Sequence, residues 1–183
     1  HSFFFFNNGF ENVFAVNSSS RDMDNDVLNS NINCFLIGNN ARGAGMNRNA
    51  AKELFKMNFR QLFDNMKFKQ MCDESDIIVV GTSTSGGTGS GTSPIIVKAL
   101  KQLYPSKTII FYGVLPRLSA SDVELSNAAA CVSEIEDLNK GDLALGIPYM
   151  LSDLSVYVAV SNEVAYVKVV VNMVNDIGGI TGD

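Results

Sequence analysis

The sequence predicts a doubly wound α/β domain with a mainly parallel sheet, and three observations lead there. Short apolar runs alternate with longer stretches at helical spacing along the 183 residues. Two of the runs, "DIIVV" (76–80) and "KTIIFYGVLP" (107–116), are continuously apolar, like strands covered by helices on both faces. Between a strand and the next helix lies "GTSTSGGTGSGTSP" (81–94), at the carboxyl end of a strand, where open α/β sheets bind their ligands.

Taken in order, "NVFAVN" (12–17) and "NCFLIG" (33–38) read as strands. Residues 50–71 read as one amphipathic helix, with Leu54, Phe55, Phe59, Leu62, Phe63 and Met66 at three- and four-residue steps. "DIIVVGT" (76–82) follows as a strand buried on both faces. "SPIIVKALKQLY" (93–104) is predicted as a helix with Pro94 in its first turn, where a missing N–H costs nothing. After the strand at 107–116, residues 119–141 form a helix with a serine or aspartate cap and Gly141 near its end. "IPYMLSD" (147–153) is the next strand. Residues 155–179 are ambiguous, since their valines favour a strand and their length favours a helix.

Composition narrows the function. An apolar fraction of 46% and a charged fraction of 18% are those of a globular domain. The net charge of −5 opposes direct nucleic-acid binding, which needs a basic surface. No apolar run approaches the ~20 residues of a membrane span, and "HSFFFFNNGF" lacks the basic start and cleavage site of a signal peptide. Cys34, Cys72 and Cys131 are far apart with no CxxC pair, which predicts reduced, mostly buried thiols, no zinc site and a cytoplasmic location. His1 is the single histidine, so a Ser-His-Asp mechanism is excluded.

The glycine-rich segment carries the chemistry. Five glycines, four threonines, four serines and one proline fill its fourteen positions, with no charge. Glycine lets backbone approach a ligand closely. Successive N–H groups make an anion-binding concavity, and the following helix adds about half a positive charge. That combination suits a di- or triphosphate; the plainer alternative is a turn that lets helix and strand pack tightly. The P-loop pattern GxxxxGK[ST] is absent. The dinucleotide fingerprint also fails, because "IIFYGVLP" ends without the acid that would hold a ribose.

"GGTGSGT" resembles the phosphate loop of the tubulin/FtsZ superfamily, GGGTG[ST]G, and three more segments agree in order. "AVNSSSRDM" (15–23) resembles the second nucleotide loop, "NARGAGMNRNAAKEL" (40–54) the turn facing the γ-phosphate, and "YGVLPRLSASDVELSNA" (112–128) the strand and ribose loop. The forms "ARGAGMNR", "NSS" and "GVLP" are most similar to the tubulin-like proteins of phages and plasmids, the TubZ and PhuZ groups. The resemblance implies that Gly86, Gly87, Thr88, Gly89, Ser90 and Gly91 cradle the α- and β-phosphates, that Ala44 and Gly45 sense the γ-phosphate, and that Asn17 lies near the ribose or base. Asp122 and Glu124 fall near the family's acid and arginine, Glu124 without matching the arginine; both also fit as first-turn helix charges. It further implies that 155–179 is the long central helix, with Tyr157 stacking on guanine and Asn162 pairing with the base edge. The final "GGITGD" resembles the acidic loop that one subunit lends to the next, which makes Asp183 the candidate catalytic acid, with Thr181 where the family has Asn.

The resemblance thus implies one nucleotide-binding domain over 1–183, lacking the family's first strand and loop and its C-terminal domain. The function expected is that of a filament-forming GTPase using GTP/GDP and Mg²⁺, self-associating and acting in DNA segregation or phage positioning through an adaptor or cargo. The alternative is a nucleotide-binding or filament-interaction module that does not hydrolyse. An oxidoreductase of the Rossmann type is disfavoured by the missing ribose acid.

Overall fold

The computed structural model describes residues 12–20, 32–38 and 43–153. Its elements in chain order are β1 (Phe14–Asn17), β2 (Asn33–Leu36), α1 (Arg48–Phe63), α2 (Met66–Glu74), β3 (Ile77–Ser83), α3 (Thr88–Leu103), β4 (Thr108–Leu115), α4 (Asp122–Asp137) and β5 (Tyr149–Asp153). β1 and β2 pair in parallel, with Phe14 opposite Asn33. β3, β4 and β5 form a three-stranded parallel sheet with β4 in the centre. Each strand of that sheet is reached through a helical crossover, the connection parallel strands require. The α/β fold class expected from the sequence is the one observed.

The predicted single helix over 50–71 is two helices. The first ends on Asp64, and Asn65 caps the second: its side chain accepts from the Phe68 N–H at 3.0 Å. The break resets the apolar face, so Phe55, Leu62 and Phe63 are buried while Met66 projects into solvent. Aromatic rings follow the bend, running from Phe55 through Phe59, Phe63 and Phe68 to Phe14 of β1, with centroids 4.6–5.8 Å apart. β1 is thereby fastened to the helices.

Pro94 lies inside α3 rather than in its first turn, because the helix begins at Thr88. Half of the expected loop is therefore helix. β3 also departs from expectation. Its residues are only half-buried, since among the described strands it is an edge, whereas Ile109–Val114 of the central β4 are buried. The core joins Ile96, Val97 and Leu100 of α3, Ile109 and Phe111 of β4, and Cys131 and Ile135 of α4 to the aromatic string.

Two cations close backbone ends. Lys107, ahead of β4, donates to the carbonyls of Cys72, Asp73 and Ser75 at 2.6–2.7 Å, satisfying the last turn of α2. Arg48 Nη2 donates to the Ser90 carbonyl at 2.9 Å. That carbonyl stands four residues before Pro94, which has no N–H to offer it. Glu134 of α4 balances Arg48 at 3.1 Å and Lys52 alongside it. No helix among the described residues is long and apolar enough to cross a membrane.

Candidate functional site

The first half of the glycine-rich segment continues β3 and turns out of the sheet. Thr84 is fully buried and donates both its N–H and its hydroxyl to the Val114 carbonyl, at 3.0 and 2.9 Å, which pins the turn to the end of β4. From Gly87 the chain enters α3. Among the described residues, three helices carry a side-chain cap: Asn47 on α1, Asn65 on α2 and Ser121 on α4. α3 starts on Gly87 without one. Its first-turn N–H groups, Thr88, Gly89 and Ser90, precede the first intrahelical bond, which Gly91 N–H makes to the Gly87 carbonyl. They are what an anion at this helix end would meet.

The glycines divide into two kinds. A Cβ on Gly87 would lie 2.8–2.9 Å from the backbone of Met46 and Asn47; one on Gly91 would lie 2.8 Å from the Arg48 carbonyl. A Cβ on Gly89 would collide with Thr82 Oγ1. These three are glycine because α3 rests directly on β3 and on the start of α1. Gly86 differs, since a Cβ there would meet nothing within 4 Å. Gly45 also faces open space, with φ +54. The tight contacts at Gly87 and Gly91 bring the turn at 43–47 and the start of α1 against the start of α3.

That turn is unusual in its own right. Gly43, Gly45 and Met46 all take positive φ, +60 for Met46, and the Asn47 N–H closes it on the Ala44 carbonyl at 2.9 Å. The left-handed region costs a side-chain-bearing residue ~1–2 kcal/mol, so something must hold Met46 there. Asn127 of α4, 8% exposed, donates to the Met46 carbonyl at 2.9 Å and to the Ser85 carbonyl at 3.0 Å.

From β1, Ser18 is buried and its hydroxyl meets Thr88 Oγ1 at 2.5 Å; Gly43 N–H donates to the Ser18 carbonyl at 3.2 Å. Asn17 Oδ1 accepts from the N–H groups of Ser18 and Ser19 at 2.7 and 3.3 Å, folding back to shape its own loop. The structure therefore gathers Asn17, Ala44, Gly45, Gly86, Gly87, Thr88, Gly89, Ser90 and Gly91 around the carboxyl ends of β1 and β3.

Asp122 and Glu124 sit in the first turn of α4. Glu124 completes a capping box: Ser121 N–H and Oγ–H donate to its Oε2 at 2.9 and 2.8 Å. Those bonds from Ser121 hold its carboxyl below the usual range. Tyr157, Asn162 and Asp183, with the helix expected over 155–179, lie outside the described residues. Among the described residues, no group of three or more His, Cys, Asp or Glu is placed to hold a metal ion.

Ser18, Arg48 and Asn127 are members that sequence reasoning missed. Ser18 stood within the "NSS" match. Asn127 had a weaker signal, a poor helix former just ahead of three alanines. Arg48 had none.

This arrangement has relatives. Residues 1–141 match the model of the tubulin/FtsZ family, GTPase domain. TubZ of Clostridium botulinum C phage is 30% identical over 153 residues, covering 83% of this chain and 38% of the relative. CetZ of Methanothrix thermoacetophila is 34% identical over 106 residues, covering 58% of this chain and 28% of the relative. The solved TubZ of Clostridium botulinum phage c-st superposes with a TM-score of 0.78 at 28% identity, covering 96% of this chain and 55% of that one. The chain thus spans well under half the length of these two curated relatives. With the glycine-rich start of α3, the left-handed turn before α1 and a match over residues 1–141, the chain belongs to the tubulin/FtsZ family.

Proposed function

We propose that the protein is a guanine-nucleotide-binding, filament-forming GTPase, and that the region formed by 17–18, 43–47 and 85–91 is its phosphate site. The observation that carries this reading is the start of α3. Its N–H groups lack the side-chain cap that the other three described helices have, and Gly86, where a Cβ would meet nothing within 4 Å, stands just before them. A nucleoside di- or triphosphate supplies the missing acceptors, and the helix dipole favours its charge. The residues present fit that group. The family's GTPase domain supports GTP and GDP as the nucleotides.

Mg²⁺ is part of the reading, bound chiefly through phosphate oxygens, water and hydroxyls such as Thr88, in the manner of an ion that keeps several waters. Hydrolysis is completed between subunits, the acidic loop of one chain orienting water at the next, with Asp183 as the acid. The base is read by Asn162 and stacked by Tyr157. Filaments of this kind serve DNA segregation or phage positioning in a bacterial cytoplasm, through an adaptor or cargo.

The test is equilibrium binding of GDP and GTP against ADP and ATP, with Mg²⁺, for the chain and for Gly86→Asp. A Cβ at this position meets no protein atom within 4 Å, and the carboxylate it carries would set a negative charge beside the phosphates. Guanine-selective binding that falls at least about 100-fold in the variant supports the site, one buried like-charge contact being worth several kcal/mol. Equal binding of all four nucleotides, or an unaffected variant, overturns it. GTP turnover per subunit that rises steeply with protein concentration supports the shared site. Binding without turnover at any concentration identifies a module that does not hydrolyse.

A further inference from the structure

Asn127 has one carboxamide nitrogen, and it faces only acceptors: the Met46 carbonyl at 2.9 Å, the Ser85 carbonyl at 3.0 Å and the Gly86 carbonyl at 3.5 Å. Two hydrogens are available, so both are committed, one to each of two loops distant in sequence. The surroundings also fix which way the amide points, since an oxygen there would oppose three carbonyls.

Each bond sets a peptide plane. In a trans peptide the N–H points opposite to the C=O. Holding the Ser85 carbonyl towards α4 therefore turns the Gly86 N–H away from α4. Holding the Met46 carbonyl stabilises a left-handed residue whose neighbour Gly87 has no room for a Cβ. Strained backbone of this sort persists where surrounding contacts over-determine it. Asn127 supplies such a contact from a third element.

We propose that Asn127 is a positioning residue that fixes the 43–47 turn against the 85–91 segment and so sets the preference of the site for a triphosphate over a diphosphate. The inference rests on the phosphate-site reading above. A diphosphate on the start of α3 needs only the 85–91 segment. A third phosphate must satisfy both segments together, and their separation is what Asn127 holds.

The test compares affinities for GDP and for a non-hydrolysable GTP analogue in the full chain, in Asn127→Ala, in the milder Asn127→Ser, and in each with Met46→Gly added. Losing the latch weakens the GTP analogue about tenfold and GDP less than about threefold, within the usual range of coupling between two sites. Met46→Gly recovers part of that loss, because glycine takes φ +60 without steric cost. Equal losses for both nucleotides, or an unchanged ratio, overturn the inference. Amide hydrogen exchange without nucleotide gives a second readout. Faster exchange confined to 43–47 and 85–88 supports the latch; a loss of protection throughout α4 and β4 overturns it in favour of general packing. A chain that binds no guanine nucleotide overturns the phosphate-site reading instead, and the exchange result then decides the latch alone.

Discussion

Arg48 and Pro94 make a pair whose coupling can be worked from the structure. Pro94 deprives the Ser90 carbonyl of its i+4 donor inside α3, and the Arg48 guanidinium replaces it at 2.9 Å. A hydrogen bond from a charged donor contributes ~1.5–3 kcal/mol. The ion pair to Glu134, a side chain about one-third exposed, adds ~0.2–1 kcal/mol. Arg48→Met therefore costs about 2–4 kcal/mol, the Ser90 carbonyl losing its substitute partner. Pro94→Ala returns an N–H to that carbonyl. Introduced into Arg48→Met, it should restore about 1–2 kcal/mol more than it contributes to the wild-type chain. Urea midpoints of the four proteins, with slopes checked for constancy, give the coupling directly. Additivity within ~0.5 kcal/mol would mean that the arginine and the proline act independently, and the argument would fall.

The glycines give a paired expectation: Gly87→Ala lowers thermal stability because its Cβ meets the Met46–Asn47 backbone at 2.8–2.9 Å, while Gly86→Asp leaves the melting temperature nearly unchanged; a melt of each checks it. Burial pushes the thiols of Cys72 and Cys131 up to about 11. In the folded chain a disulfide reagent at pH 8 should thus reach the partly exposed Cys34 first and the other two only on unfolding, as peptide mapping would reveal. The same two thiols bind protons more tightly folded than unfolded, so stability declines as pH rises from about 9 to about 11, and mutating both to alanine flattens that decline. Glu124 has the opposite sign: its folded carboxyl is held low by Ser121, so its contribution is present above the ordinary value of 4.5 and fades as pH falls below it. In Glu124→Gln, acid titration of stability should lose that component.

Strand and helix order was legible because periodicity and continuous apolar runs are local properties. What depends on distant contacts was not. Gly89 and Gly91 read as loop formers, since glycine weakens a helix interior, yet they lie in the first turn of α3 because only glycine lets that turn rest on Thr82 and Arg48. Pro94 then looked like a helix start. Asn65 had the side chain of an N-cap, but apolar spacing running across it concealed the break. The glycine-rich segment and the turn before α1 were readable from residue pattern. The roles of Arg48 and Asn127 were not, since they turn on bonds to distant backbone carbonyls, which carry no sequence signature.

Lys107 has a consequence for the order in which the molecule can be built. The three carbonyls it satisfies belong to residues 32–35 positions earlier in the chain. A ribosome adding about 5–20 residues per second takes roughly 2–7 s to cover that interval. Through that time the end of α2 has only water for those carbonyls. The helix is thus completed late, from downstream, when the lysine that leads into β4 emerges and draws the start of the central strand to the base of α2 in the same step.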